Sequence, residues 1–93
     1  MGHDSRLGER LRQVRLHRAV SQGRLARALG VTVGTIQNYE RGRAGLGVDR
    51  IEQLARALQC EPVELLAPPG SPPPRYRRPR YGTAMDLLNN DDD

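Results

Sequence analysis

The chain has no lysine: all 15 of its lysine-or-arginine positions are arginine, so every basic contact it makes is made by a guanidinium. It has a single cysteine, Cys60, which excludes an intramolecular disulfide. No apolar run approaches membrane-spanning length, and the N-terminal residues lack the hydrophobic stretch of a signal peptide. Its two histidines, His3 and His17, stand at no metal-ligand spacing with each other or with Cys60. No serine has an identifiable base, so there is no catalytic set. The run from Gly42 to Gly47 is no nucleotide cradle, because the third glycine of a dinucleotide fingerprint is missing, no strand precedes it and no lysine follows. The expectation from these absences is a protein that is not an enzyme and carries no cofactor and no metal.

What is present begins with room for one small domain in 93 residues, with a formal net charge of +4. A core-forming pattern occupies residues 6–66, between a short flexible N-terminus (1–5) and a proline-rich tail (67–93). Asp4 or Ser5 is placed to cap a first helix running to about His17. Its apolar positions Leu7, Leu11 and Val14 repeat at helical spacing, which leaves Arg6, Arg10 and Arg12 for a solvated face.

The stretch Ser21 to Glu40, SQGRLARALGVTVGTIQNYE, reads as two short helices and a tight turn. Ser21 caps the first helix, whose Leu25, Ala26 and Leu29 share a face, and Gly30 ends it in the left-handed conformation. Thr32 caps the second. Ile36 and Tyr39 turn inward at a spacing of three, so Gln37 and Asn38 are left pointing outward. Small Ala26 lets two steeply crossed helices approach closely. Gln22, Ala26, Gly30, Ile36 and Tyr39, with LGERLRQVR before them and YERG after them, resemble the Cro/C1-type (XRE-family) DNA-binding domain of phage repressors.

That resemblance covers roughly Arg6 to Leu66. It implies an all-α, compact five-helix lambda-repressor-like domain that binds double-stranded DNA, in the bacterial or phage-infected cytoplasm and associated with the nucleoid. It implies a partly buried ion pair between Arg15 and Glu40, tying the first helix to the recognition helix. It also implies that Gln22 and the N-terminus of the recognition helix, with Thr32 and Thr35, hold phosphates. The amides of Gln37 and Asn38 suit adenine, and Val33 suits a thymine methyl. The chain departs from the family pattern at Gly34 and Gly23, so readout by direct contact is thin and DNA shape is expected to contribute.

After Glu40, Gly42, Gly45 and Gly47 rule out regular helix, and Arg41 and Arg43 in that loop are candidate phosphate ligands. A fourth helix over Val48 to Leu58 presents Val48, Ile51, Leu54, Ala55 and Leu58 to the core. A fifth begins near Pro62 and carries Val63, Leu65 and Leu66, more apolar surface than so short a helix can bury in its own domain. Related repressors pair near their last helices, so these three residues are the expected homodimer interface. Cys60, between the two helices, reads as a small buried apolar residue.

From Ala67 the composition changes to APPGSPPPRYRRPRYG, expected to be extended and mobile. Arg75, Arg77, Arg78 and Arg80 interleave with Tyr76 and Tyr81, a pattern that suits stacking on bases or a plain linker. The apolar cluster Met85, Leu87 and Leu88 suits a protein partner for the tail. Four arginines and four aspartates of the tail cancel, which places the net charge in the globular part. Two functions fit: a sequence-specific DNA-binding transcriptional regulator, or an antitoxin whose helix-turn-helix autoregulates its operon while the tail binds a toxin.

Overall fold

A computed structural model describes residues 5–76, which form five helices and no strand. They are α1 (Ser5–His17), α2 (Gln22–Leu29), α3 (Val33–Glu40), α4 (Val48–Leu58) and α5 (Pro62–Leu65). All five helices meet in the centre, through Leu11 and Val14 of α1, Leu25 and Ala26 of α2, Ile36 of α3, Leu54 and Leu58 of α4, and Leu65 of α5. Each fully buried Leu or Ile contributes about 1.5–3 kcal/mol relative to exposure, so this cluster is what holds five short helices together. None of the α2, α3 or α5 segments is long enough to be a stable helix alone.

Local signals set the boundaries. Ser21 Oγ accepts from the Arg24 N–H at 3.0 Å, and Gly30, at φ 72°, closes α2. The N–H groups of Gly30 and Val31 then donate to the carbonyls of Arg27 and Ala26 at 3.2 and 2.9 Å. Thr32 starts α3 immediately, its Oγ1 accepting from Thr35 N–H at 3.2 Å. Asp4, the other cap considered for α1, lies outside the described residues.

Four positions differ from the sequence reading. Val48 is 72% exposed rather than core, because at the first residue of α4 no packed element lies over it. Leu65, expected at a dimer interface, is 1% exposed and belongs to the core. Successive helical residues turn by about 100°, so Val63, Leu65 and Leu66 of a single turn cannot share one face. With Leu65 inward, Val63 and Leu66 are left outward, at 66% and 58% exposure.

Arg10 differs most. Instead of lying on a solvated face it is 1% exposed, one of the most deeply buried side chains in the chain. Its position, four residues before Val14, places it at the edge of the apolar stripe of α1. There its Nε donates to the Glu64 carbonyl at 2.9 Å, and its Nη1 and Nη2 donate to the carbonyls of Ser71 and Pro72 at 3.0 and 3.1 Å. The Glu64 carboxylate lies 3.7 Å from Nη2.

The fourth difference follows from the same contacts. The proline-rich segment is extended as far as Tyr76, as its prolines require, but it is held on α1 rather than free. Gly70 N–H donates to Gln13 Oε1 at 2.8 Å, and Pro74 is buried. Tyr76 stacks on His17 with ring centroids 5.5 Å apart, and its hydroxyl lies 2.8 Å from His17 Nδ1. The Arg18 guanidinium sits over the Tyr76 ring, 5.1 Å from its centre. The Arg77 to Arg80 and Tyr81 pattern and the Met85, Leu87 and Leu88 cluster lie outside the described residues.

Cys60 is buried, and its thiol is pushed up to about 11, chiefly by burial and then by the nearby Glu64 carboxylate. It remains a protonated, unreactive thiol at neutral pH. Burial likewise raises Tyr76 above the usual phenol range.

Candidate nucleic-acid interface

The outward side of α3 is set by which of its residues the core takes up. Ile36 is completely buried and Tyr39 nearly so, and these two fasten the helix to the core. Val33, Gly34 and Asn38 are exposed, and Thr35 and Gln37 are half-buried. The helix therefore offers a stripe of uncharged side chains, with no acidic residue in its first turn to repel an anion. A Cβ at Gly34 would meet nothing closer than Thr32 Oγ1 at 3.7 Å, so the glycine there is not demanded by packing.

At the C-terminal end the loop is fitted against α1. Arg43 N–H donates to the Asn38 carbonyl at 2.9 Å, and Arg41 caps the helix, with both guanidinium groups exposed beside the stripe. Gly42, at φ 72°, passes so close to the start of α1 that a Cβ would stand 2.7 Å from Ser5 Cα. Across the same seam, a Cβ on Gly8 of α1 would stand 2.2 Å from the Tyr39 carbonyl oxygen. These two glycines let α1 sit directly on the exit of α3. Sequence reading passed over Gly8, although an isolated glycine inside a helical pattern was the available signal.

Beneath the stripe lies a chain of polar contacts. Arg15 grips Glu40 with two bonds, Nε to Oε2 at 2.5 Å and Nη2 to Oε1 at 3.2 Å, and its Nη1 donates to the Val20 carbonyl at 2.9 Å. Both side chains are buried, and no buried side-chain polar atom among the described residues lacks a partner. Breaking such a pair from one side costs about 3–5 kcal/mol, because the other charge stays in a poorly solvated place. Gln22, at the start of α2, extends the chain outward: its Nε2 donates to Glu40 Oε1 at 3.0 Å, and its Oε1 accepts from Gln37 Nε2 at 3.4 Å.

The structure thus brings together Arg15, Glu40, Gln22 and Gln37, and it sets Val33, Thr35, Gln37 and Asn38 on one helix with Thr32 as its cap and Arg41 and Arg43 at its end. Val63 and Leu66 belong to a different surface, on α5. The link from Gln22 to Gln37 was not foreseen, since nothing in the spacing of residues on two separate helices announces it. Among the described residues there is no metal-holding cluster of His, Cys, Asp or Glu, and no helix is long and apolar enough to cross a membrane.

Two short helices crossing at a glycine turn, the second fastened by an ion pair to the first helix of the bundle and left open outward, define a DNA-binding helix-turn-helix. The chain belongs to that family, in its Cro/C1 (XRE) branch: a family model described as Helix-turn-helix matches residues 11–65. It is similar to an uncharacterized HTH-type transcriptional regulator of Sinorhizobium fredii, 41% identical over 59 residues. That match covers 63% of this chain but only 41% of the relative, so the chain spans about two fifths of that protein's length. It is also similar to the control protein C.BamHI of Bacillus amyloliquefaciens, 35% identical over 60 residues, covering 63% of this chain and 74% of that protein. Among solved structures, the restriction-modification controller protein C.AhdI from Aeromonas hydrophila superposes with a TM-score of 0.62 at 37% identity, over 64% of this chain and 91% of the other. The family is one of transcriptional regulators.

Proposed function

We propose that the chain is a sequence-specific transcriptional regulator that inserts α3 into the major groove of DNA. The observation that carries this reading is the division of α3: Ile36, Tyr39 and Glu40 are buried, while Val33, Gly34 and Asn38 are open to solvent. A helix fixed on one side and bare on the other is what a groove about 12 Å wide can admit. Asn38 and Gln37 read adenine and Val33 touches a thymine methyl. Gln22, Thr32, Thr35, Arg41 and Arg43 bind phosphates and set the register.

One α3 offers too few base contacts to supply the roughly 4–10 kcal/mol between specific and non-specific binding. Two copies do, and Val63 and Leu66, the outward apolar residues of α5, are the surface through which a two-fold dimer forms. Likeness to two controller proteins supports a regulator over an antitoxin. The packing of the proline-rich segment on α1 supports it too, since Gly70 to Tyr76 are engaged within the domain rather than held out for a toxin.

Selection of bound duplexes from a random pool tests the proposal. A two-fold symmetric consensus with half-sites about one helical turn apart is the expected result, and an unenriched pool would refute it.

A further inference from the structure

The proline-rich segment reaches a defined place. Tyr76 stacks on His17 in the last turn of α1 and lies beneath the Arg18 guanidinium. Arg18 is itself fixed from the end of α4, where it donates to the Leu58 carbonyl at 3.3 Å and to the Gln59 side chain. Only a short turn separates Arg18 from α2, and that turn is locked as well. Val20 N–H donates to the Arg15 carbonyl at 3.1 Å, and the Val20 carbonyl accepts from the same Arg15 side chain that grips Glu40 of α3. Four Cα steps then keep Gln22, the proposed phosphate ligand at the start of α2, within about 15 Å of Arg18. Tyr76 is therefore seated on the flank of the helix-turn-helix, beside the entrance to α2.

Around this anchor the sequence is cationic. Arg75 is exposed just before it, Arg77, Arg78 and Arg80 follow, and no acidic residue stands between Glu64 and Asp86. The balancing aspartates come only at Asp86 and at Asp91, Asp92 and Asp93, so the charges of the tail cancel over its whole length but not locally. Resting on the DNA-binding role above, we propose that the packed proline-rich segment delivers Arg75, Arg77, Arg78 and Arg80 to the DNA phosphates beside the start of α2, as a second contact independent of base sequence. At most about 3.3–3.6 Å per residue lets Arg80, four residues past Tyr76, reach about 14 Å from the anchor, which matches the gap to Gln22. The polyanion at that distance is the duplex, with one charge per about 1.7 Å of its axis, and guanidinium forks bind phosphate oxygens in pairs. Fixing the segment at Tyr76 holds the arginines near the backbone once α3 is docked, which raises their effective concentration there.

The test uses the full chain with Arg77, Arg78 and Arg80 all changed to Gln, which leaves every described residue in place. Its affinity for the selected operator and for an unrelated duplex is measured across a salt series, and its contacts are mapped by hydroxyl-radical footprinting. Binding to both duplexes should weaken by a similar factor, roughly tenfold at low salt, with the selected consensus unchanged. The slope of log K against log salt should become shallower by about 2–3 per bound copy, at about 0.9 per phosphate released. A patch of backbone protection next to the one that Gln22→Ala removes should disappear. Tyr76→Ala, checked for folding by thermal melting, keeps these three arginines but should lose the same patch, because the anchor is gone. An unchanged slope and footprint in the triple variant, as arginines neutralised by the tail's own aspartates would give, overturns the inference while the DNA-binding role stands. A patch that survives Tyr76→Ala overturns the delivery by the packed segment. A wild-type chain that enriches no consensus removes the role and the inference together.

Discussion

Asn38 and Arg43 stand five residues apart and are joined through the backbone, yet the proposed function gives them opposite kinds of work. Asn38 is exposed in the middle of the α3 stripe, where the proposed docking sets its side chain against base edges, whereas the exposed Arg43 would meet only the backbone of the duplex. Asn38→Ala should therefore relax preference at one base pair by roughly 1–3 kcal/mol, and Arg43→Ala should weaken binding to all sequences about equally. Affinity measurements on the operator and its single-base variants separate the two, and an unchanged consensus with Asn38→Ala would show that the reading face is misassigned. Cys60 carries a prediction of another kind. Its thiol is raised to about 11 in the folded chain, while the unfolded thiol titrates near 9.0, so between these values the unfolded state binds fewer protons. Stability is thus full below about pH 9 and falls as pH rises toward 11, by an amount on the order of 2 kcal/mol, with Tyr76 contributing in the same direction. Denaturant melts across that range should show the decline, and Cys60→Ala should flatten it.

At the scale of elements, the segment from Pro68 to Tyr76 behaves as a strap tied to α1 at three places, Arg10, Gln13 and the His17–Tyr76 stack. Arg10→Ala should destabilise the domain by about 2–4 kcal/mol, and truncation after Leu66 by about 1–3 kcal/mol. Because both remove the Arg10 bonds to Ser71 and Pro72, combining them should cost less than the sum, which thermal denaturation of the three variants measures. Full additivity would mean that Arg10 does not act through the strap. The helices themselves were legible in the sequence, because their caps are local: Ser21, Gly30, Thr32 and Pro62 act on backbone groups within a few residues. The strap was not. Proline and glycine content says that a segment cannot be helical, but says nothing of which distant side chain will hold it, and the Arg10 contact spans 61 residues to Ser71. Burial was equally opaque for Leu65 and Val48, where the helical pattern allowed either face and the position of neighbouring elements decided. The outward stripe of α3 was readable because Ile36 and Tyr39 fix the rotation of the helix. The Gln22–Gln37 link was not, because it joins residues on two helices.

Seen as a whole molecule, the domain has two separate surfaces to which the proposed function assigns different tasks, α3 with its flanking loop and the outward side of α5. Dimerisation through α5 makes a paired prediction. Leu66→Asp should leave the fold intact and weaken operator binding strongly, because it places charges in the interface, whereas Leu65→Asp should unfold the domain by burying a carboxylate without a partner. Ultracentrifugation and circular dichroism distinguish these outcomes, and a Leu66→Asp protein that binds its operator as a normal dimer would move the interface elsewhere. The central claim, that α3 enters the major groove, is tested most directly by tethered cleavage. Gly34 has open space around it and Cys60 is the one native cysteine, so a Gly34→Cys, Cys60→Ala chain carries an iron chelate at a single point on α3. The account predicts two clusters of strand cleavage inside the selected operator, one in each half-site and about 34 Å apart. Cleavage confined to DNA outside the half-sites, or scattered evenly along the duplex, would contradict it.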